Sequence, residues 1–515
     1  MTRALAADQA AAPAVLIIGA GPTGLALAAQ LASFGIPVRI IDRALDRARE
    51  SRALAVQART LELLQSVDLA DPLVQRGNPS ARLILHFSTE RRAEVRLGGF
   101  AASDTRFPFI LFVSQAETEA VFGTHLTSRG VTVERGVELI DVKMDHDGVN
   151  AVFRHANGVA ERVHAQYIVG CDGAHSTVRK RAGIPFQGGA YLQNFMLGDV
   201  EADARPGSTL EPGTLHSFAG ASGIAMFFPL GHPATWRVIA MSGTAAERRR
   251  TTAGPEEEQP ITSDLSLSEL QAVVDDATDG AVELRNPVWL THFRLHHRQA
   301  ARYRRGPAFL AGDAGHIHSP VGAQGMNTGI QDAWNLAWKL AIVVSGAADP
   351  TLLDSYEAER WPVGRSLLRY TDRIFTIFTR SMSNSVMTAW VRRTVVARVL
   401  PVVMRSDWLR TFGFRFVSNF SIRYRNSPAV TEGTPSLRGG PRAGDRLPDA
   451  RLTVNGRATT LQREAVGPRL HLWPARGVAY TSKCPGGSDG ALPGHHRCAA
   501  ADPIGGSRLA SRWHG

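Results

Sequence analysis

Cysteine is nearly absent. Cys171, Cys484 and Cys498 are the only three in 515 residues, too few for a disulfide framework in a chain this long, so a reducing cytoplasm is the expected setting. Lysine is almost as scarce. Lys143, Lys180, Lys339 and Lys483 are the full set, so the net charge of +11 rests on arginine. Those arginines are scattered, without the dense basic block or interleaved aromatics of a nucleic-acid binder. No stretch approaches the roughly 20 apolar residues of a membrane span. The Ala-rich leader Met1 to Pro13 has no apolar core segment, which argues against secretion. No internal repeat is visible. What remains is 44% hydrophobic and 20% charged, the composition of an ordinary globular enzyme, long enough for two or three domains.

The N-terminal stretch VLIIGAGPTGLALAAQLASFGIPVRIID, Val15 to Asp42, carries the first motif. An apolar strand runs into Gly19, Gly21 and Gly24, a helix follows to Phe34 with Gly35 as its stop, and a second strand ends at Asp42. The first glycine permits a tight turn, the second lets a pyrophosphate approach the backbone, and the third lets helix and strand pack closely. Asp42 is placed to take ribose hydroxyls. Strand, helix, second strand and acid in this order predict dinucleotide binding. Arg43 and Arg52 follow, either as pyrophosphate counter-charges or as surface arginines. Gln115 opens a helix carrying Glu117 and Glu119; it could face a cofactor ring or cap the helix, and the residue alone does not decide.

Two further strand-to-loop junctions end in acids. YIVGCDGAHSTVRKRAGI places Asp172 at the end of a strand and Ser176 as N-cap of a short basic helix with Arg179 one turn in. A capped turn with a surface arginine would read the same way. Cys171 reads as a packed small residue rather than a nucleophile. FLAGDAGHIHSPVGAQGMNTGIQDAWNLAWKLA, Phe309 to Ala341, gives a strand, Asp313, a loop and a helix starting at about Met326 to Thr328. Its apolar residues Ile330, Ala333, Trp334, Ala337, Leu340 and Ala341 recur at three or four, predicting one buried face and a stop at Gly346. The free N–H groups of such a helix suit an anion. A reduced flavin ring fits, favoured there by roughly 0.3 to 1 kcal/mol, although a helix cap and turn would need the same residues. Asp313 is placed for sugar-like hydroxyls. His316 and His318 flank the loop, but an HxH pair alone is no metal site, and no metal is expected.

In combination, these three segments resemble the FAD-dependent aromatic hydroxylases, the p-hydroxybenzoate hydroxylase-like flavoprotein monooxygenases, and within them the phenol and polyketide hydroxylase branch. The resemblance extends from Val15 to about Asp449, through LLDSYEAERWPVG, RNSPAV and RAGDRLPD. It implies an α/β fold: a Rossmann-like FAD-binding domain (1–190 and 283–365) with an inserted antiparallel-sheet substrate domain (80–106 and 191–282) and a helical region (366–425). It also implies that Gly19, Gly21, Gly24 and Asp42 hold the adenosine half of FAD and Asp313 the ribityl chain. Pro320, Gly325, Met326 and Asn327 would line the flavin ring, and Asp172 would serve FAD and the nicotinamide donor. The implied reaction takes a hydride from NAD(P)H, activates O2 as a flavin C4a-hydroperoxide and hydroxylates a phenolic or polycyclic aromatic. No catalytic residue is named. A single Rossmann fingerprint agrees with a nicotinamide that visits without a domain of its own. Baeyer–Villiger oxygenation, epoxidation and a non-catalytic FAD-binding remnant remain alternatives, and monomer or homodimer stays open.

Between the motifs, Gly213 to Gly243 reads as antiparallel strands, with His216, Phe227 and Trp236 as candidates for a pocket wall or for core. Residues 248 to 260 form a charged, Pro-containing loop. The arginine-spaced apolar stretch Ser366 to Val417 reads as helices packed on the flavin domain. From about Pro474 periodicity is lost to Gly, Pro, Arg and His. The resemblance implies that residues 426–515, entered through GDRLPDARLTVNG, are the truncated or frame-shifted remnant of a thioredoxin-like domain; composition alone reads as a disordered tail.

Overall fold

The computed structural model describes residues 13–47, 53–87, 92–206, 210–220, 223–230, 234–242, 265–319, 323–381, 398–399, 406–433, 440–467 and 471. Arg52, Pro320, Cys484, Cys498, the turn at 231–233, the loop at 248–260 and the segment from Pro474 onward lie outside the described residues.

In chain order, β1 (Val15–Ile18) is wholly buried and passes through the glycine turn into α1 (Pro22–Ser33), with Pro22 at the first helical position, where its fixed φ suits the helix. β2 (Val38–Asp42) returns beside β1. The chain crosses to a second sheet for β3 (Arg82–His86) and comes back through α2 (Gln115–Ser128), capped by Ser114. β4 (Tyr167–Gly170) and α3 (Thr177–Arg181) follow. Then come β5 (Phe186–Ala204), β6 (Leu215–Ala219), β7 (Gly223–Pro229), β8 (Trp236–Ser242), α4 (Leu267–Thr278) and β9 (Val282–Ala300). β10 (Ala308–Leu310), β11 (His316–Ile317), α5 (Gly325–Val344), α6 (Asp354–Ser381) and α7 (Asp407–Val417) complete the elements used below.

The first sheet has six strands in the order Arg304–Arg305, β10, β4, β1, β2, Val133–Arg135. β10, β4, β1, β2 and Val133–Arg135 run parallel, so the C-terminal ends of four motif-bearing strands share one edge. Open parallel sheets bind ligands at that edge. The second sheet has eight strands, β11, β9, β5, β8, β7, β6, β3 and Arg92–Arg96. β5 and β9, at 19 residues each, pair along most of their length and tie the two sheets into one body. α4 covers one face of this sheet, burying Val200, Phe218, Ala225, Val238, Leu270 and Val274 together.

Three expectations change. α5 does not bury one face: Asp332 and Lys339 are as fully enclosed as Ile330 and Leu340, because the helix runs through the middle of the first unit. α6 starts at Asp354 and continues unbroken across the expected boundary at 365, with Pro362 inside it. The packed structure also runs on past 426. Ser427 Oγ donates to Glu359 at 2.6 Å, Arg446 bridges Glu62 and Asp104, and residues 451–460 form a hairpin.

Candidate cofactor and substrate site

The glycine turn shows which glycines the chain needs for itself. Gly19 has φ of +101°, and a Cβ there would lie 2.3 Å from the Cys171 carbonyl oxygen. A Cβ on Gly24 would lie 1.9 Å from the Gly19 oxygen, so α1 can rest on the turn only without a side chain. Gly21 is different: a Cβ there meets nothing within 4 Å. Its lack of a side chain leaves space at the start of α1 for something outside the chain. Beside it, Asp42 accepts from Ala20 N at 2.7 Å and Ala44 N at 2.8 Å, which aims its carboxylate along the strand edge. Arg43 is exposed next to it.

Thr23 joins this turn to the third motif. Its hydroxyl would be struck by a Cβ on Gly312 at 2.6 Å or on Gly329 at 2.3 Å. α1, the end of β10 and the start of α5 therefore converge on one threonine. Nothing in the spacing of the sequence marked Thr23. Asp313, one residue beyond Gly312, is exposed at the same edge.

Asp172 caps α3, accepting from Thr177 N at 2.6 Å and Val178 N at 3.3 Å. Its Oδ1 is enclosed with no partner among the described residues. Burial raises its pKa, opposed by the hydrogen bonds from Ser176 and the helix N–H groups. Arg179 is not a surface charge. It is 5% exposed, donates to Ala314 O at 3.0 Å and Ala174 O at 2.8 Å, and lies 3.9 Å over the Phe186 ring. It clamps the second motif to the third, because a buried guanidinium must satisfy its donors on backbone carbonyls.

Beneath the loop sits a buried network absent from the sequence reading. Asp332 accepts from Arg360 Nε at 2.6 Å, His316 Nε2 at 2.7 Å and Gly312 N at 3.0 Å. Arg360 also donates to the Thr328 carbonyl at 3.2 Å and the Tyr424 hydroxyl at 2.9 Å. Burial pushes the Asp332 carboxyl up, but Arg360 and His316 outweigh it and hold the group below the usual carboxylate value. The available signal was polarity inside an apolar helix: Asp332, Asn335 and Lys339 recur at helical spacing in α5. Lys339 pairs with Glu359 at 2.8 Å, and burial lowers its pKa to about 8 against the pull of that carboxylate.

Asn327 requires a correction. Its Oδ1 accepts from Gln57 N at 2.8 Å, and its Nδ2 donates to Ala55 O at 3.0 Å and Ala323 O at 2.9 Å. The side chain holds the Ala55–Val56 strand, since those backbone groups have to be satisfied, and both its amide atoms are engaged there. Met326 is half-buried beside it at the opening of α5, after Gly325. Gln115 donates to Glu119 at 2.8 Å, while Ser114 performs the capping. His318 donates from Nδ1 to Ser319 O at 2.9 Å, which leaves Nε2 as a lone pair enclosed without a partner among the described residues. Burial and His316 lower its pKa to about 4, so it is neutral at pH 7.

Of the two readings open for His216, Phe227 and Trp236, pocket wall or core, the burial fits core. They stand on the face of the second sheet that α4 covers, 1%, 0% and 5% exposed. Strand alternation and register put them with Phe218, Ala225 and Val238 on that face. The opposite face carries Ser217, Met226, Phe228, Ile239 and Phe293, partly buried, beside Phe195, Ile224 and Met241, which are buried. Its far end turns toward the first unit, where Gln299 donates to Trp361 O at 2.8 Å and Tyr191 bonds Asp372 on α6. β11, three residues beyond Asp313, pairs with β9 through Arg298 and Gln299. The loop that leads to α5 is thus also the edge of the second sheet.

A parallel-sheet edge of this kind, with a glycine turn and acids at the strand ends, is where folds of this class hold a dinucleotide. Comparison with known proteins gives the family. Residues 13–371 match the model described as an FAD binding domain. The chain is 37% identical over 434 residues to a 6-methylpretetramide 4-monooxygenase from Streptomyces rimosus, covering 83% of this chain and 72% of the relative. It is 32% identical over 474 residues to a pentachlorophenol 4-monooxygenase from Sphingobium chlorophenolicum, covering 91% and 81%. It superposes on the anhydrotetracycline hydroxylase OxyS from Streptomyces rimosus with a TM-score of 0.65 at 28% identity, covering 87% of this chain and 82% of that one. The chain belongs to the FAD-binding aromatic monooxygenases, and its cofactor is FAD.

Proposed function

We propose that this chain uses NAD(P)H and O2 to hydroxylate a phenolic or polycyclic, polyketide-like aromatic. The observation that carries the reading is the joining of the two sheets at one loop. Asp313 at the end of β10, β11 at the edge of the second sheet and the N-terminus of α5 follow one another within 13 residues (313 to 325). A group held at the strand ends therefore abuts an apolar face suited to a flat ring.

When bound, FAD supplies hydride acceptance and oxygen activation. The chain's own residues hold and orient it. The space over Gly21 takes the pyrophosphate, with Arg43 and Arg52 as counter-charges, and Asp42 accepts from the ribose hydroxyls. Asp313 accepts from the ribityl chain, and the unpartnered Oδ1 of Asp172 accepts from the dinucleotide. The free N–H groups at Gly325 and Met326 favour the negatively charged form of the ring. Met226, Phe228 and Ile239 exclude water from the aromatic.

The visible spectrum of the purified protein, before and after heat release of its cofactor, tests the first half of this reading. A flavin spectrum with free FAD in the supernatant is expected. Stimulation of NAD(P)H oxidation by members of an aromatic panel, with one oxygen atom added to the product by mass spectrometry, tests the second half. FAD-loaded protein that no phenol or polycyclic aromatic stimulates overturns the substrate class.

A further inference from the structure

The apolar side chains left outside the cores are concentrated on one helix. Among the described residues nine large apolar side chains are exposed, and four of them, Trp408, Leu409, Phe412 and Phe416, stand on the 11-residue α7. Trp408, Phe412 and Phe416 recur at every fourth residue, so with Leu409 they form one stripe along the helix. Trp408 is 68% exposed and Phe412 62%, with their rings stacked 5.8 Å apart. The other side of α7 does the packing. Phe414 is buried with its ring 4.3 Å from that of Phe100, and Arg410 lies over the same Phe100 ring. A contiguous exposed stripe of this kind marks a contact surface.

The charge around the stripe indicates what it meets. Residues 366–417 hold nine arginines and two aspartates, with no lysine or glutamate, so +7 of the net charge of +11 falls in this stretch. Arg369 and Arg373 on α6 are exposed and flank Tyr370, whose ring lies 4.5 Å from that of Phe416. A second copy of the chain would bring the same positive field against itself. The area is also short for a pair of copies: three aromatics and a leucine, exposed to these extents, offer about 300 to 500 Å², against the roughly 800 Å² per partner of a stable complex. An anionic lipid surface meets both conditions. It attracts the arginines and takes in aromatic side chains to a depth of about 5 to 10 Å without a complementary shape. At 11 residues α7 is about 16 Å long, half the thickness of a bilayer core, so it suits lying along a surface rather than crossing it.

We propose that α7 docks the protein reversibly on an anionic lipid surface, with Trp408, Phe412 and Phe416 seated at the acyl boundary and Arg369 and Arg373 at the headgroups. The docking is independent of which aromatic the protein takes.

Co-sedimentation of the FAD-loaded protein with lipid vesicles tests it. Wild type is expected to pellet with vesicles of equimolar phosphatidylglycerol and phosphatidylcholine and to stay in solution with phosphatidylcholine alone. Binding is expected to weaken in salt of about 1 M, where the screening length falls to about 3 Å. Trp408→Ser combined with Phe412→Ser changes only exposed positions, so the melting temperature and flavin spectrum are expected to hold while partitioning falls by at least about 10-fold. Arg369→Gln combined with Arg373→Gln leaves the stripe intact and is expected to lose roughly 10-fold on the same vesicles; it decides the matter if the serine variant melts early, and unchanged binding by it overturns the proposal. Wild type that ignores the anionic vesicles overturns it as well. So does equal binding without Trp408 and Phe412, which would mean that net charge alone attracts the protein. A wild-type dimer in sedimentation velocity that the serine variant loses, without vesicle binding, assigns the stripe to a second copy and overturns the lipid reading.

Discussion

Two aspartates nineteen residues apart, Asp313 and Asp332, show how burial divides binding from stability. Asp313 is exposed at the strand edge, so Asp313→Ala should weaken FAD retention by about 1.5 to 3 kcal/mol. Dialysis followed by the flavin absorbance measures it. Asp332 is fully enclosed and paired with Arg360, also fully enclosed. Arg360→Met takes away the guanidinium and leaves the buried carboxylate to His316 and Gly312 N, and should cost about 3 to 5 kcal/mol in denaturant unfolding. His318 makes the pH dependence specific. Its pKa is lowered from 6.5 to about 4 in the folded chain, so between those values the unfolded chain binds more protons. Stability therefore falls as pH falls from 6.5 towards 4. Comparing the unfolding free energy of wild type and His318→Asn across that window should show a shallower slope in the variant; parallel slopes would remove His318 as the cause.

Glycine positions in the turn between β1 and α1 separate packing from ligand space. Gly24→Ala forces a methyl to 1.9 Å from a backbone oxygen that cannot move without moving β1, so loss of soluble protein or a large fall in melting temperature is expected. Gly21→Ala meets nothing in the chain, so the apoprotein should melt within about 1 kcal/mol of wild type. The same variant should bind FAD more weakly in a spectrophotometric titration. Equal affinity would show that the pyrophosphate passes elsewhere. The order of strand, glycine turn, helix, strand and acid was legible before the fold, because each part has a local backbone reason. The depth of α5 was not: its apolar residues recur at three and four, and nothing in that period says that Asp332 and Lys339 find partners from α6.

Arginine that looked like scattered surface charge ties distant segments together. Arg446 is 6% exposed at its side chain and bridges Glu62 and Asp104, while Arg415 reaches Asp104 at 2.7 Å. Burial pushes the Arg446 guanidinium down, but the two carboxylates overcome this and raise it. Arg446→Ala leaves Glu62, 1% exposed at its side chain, with Arg59 and Asp104 with Arg415 as remaining partners, and should cost about 1 to 3 kcal/mol of stability. Hydrogen exchange across 440–467 is expected to accelerate with it; unchanged protection there would mean that the segment is held by other contacts. The expected break at 426 failed for the same reason. Composition reads hydrophobic periodicity, whereas this segment is docked through Ser427, Tyr424 and Arg446 by polar bonds to α6 and the first unit.

The sequence by itself determined the parallel order of the first sheet, the glycine turn, the acids at the strand ends and the antiparallel strands between Gly213 and Gly243, but not the parallel pairing of β6 with β3 in the second sheet. Each follows from short-range constraints: the backbone freedom of glycine, the period of apolar residues and the order of strand and helix. Only the tertiary structure decided which face of the second sheet α4 covers, and so why His216, Phe227 and Trp236 are core while Phe228 and Ile239 stay partly exposed. A period of two divides a strand into two faces but does not name the one a helix covers, and that choice was made by α4, contributed from more than 25 residues further along the chain than β8 begins. The convergence of Gly312, Gly329 and Thr23, and the pairing of Asp332 with Arg360, were decided in the same way, by contacts between residues that no local pattern links.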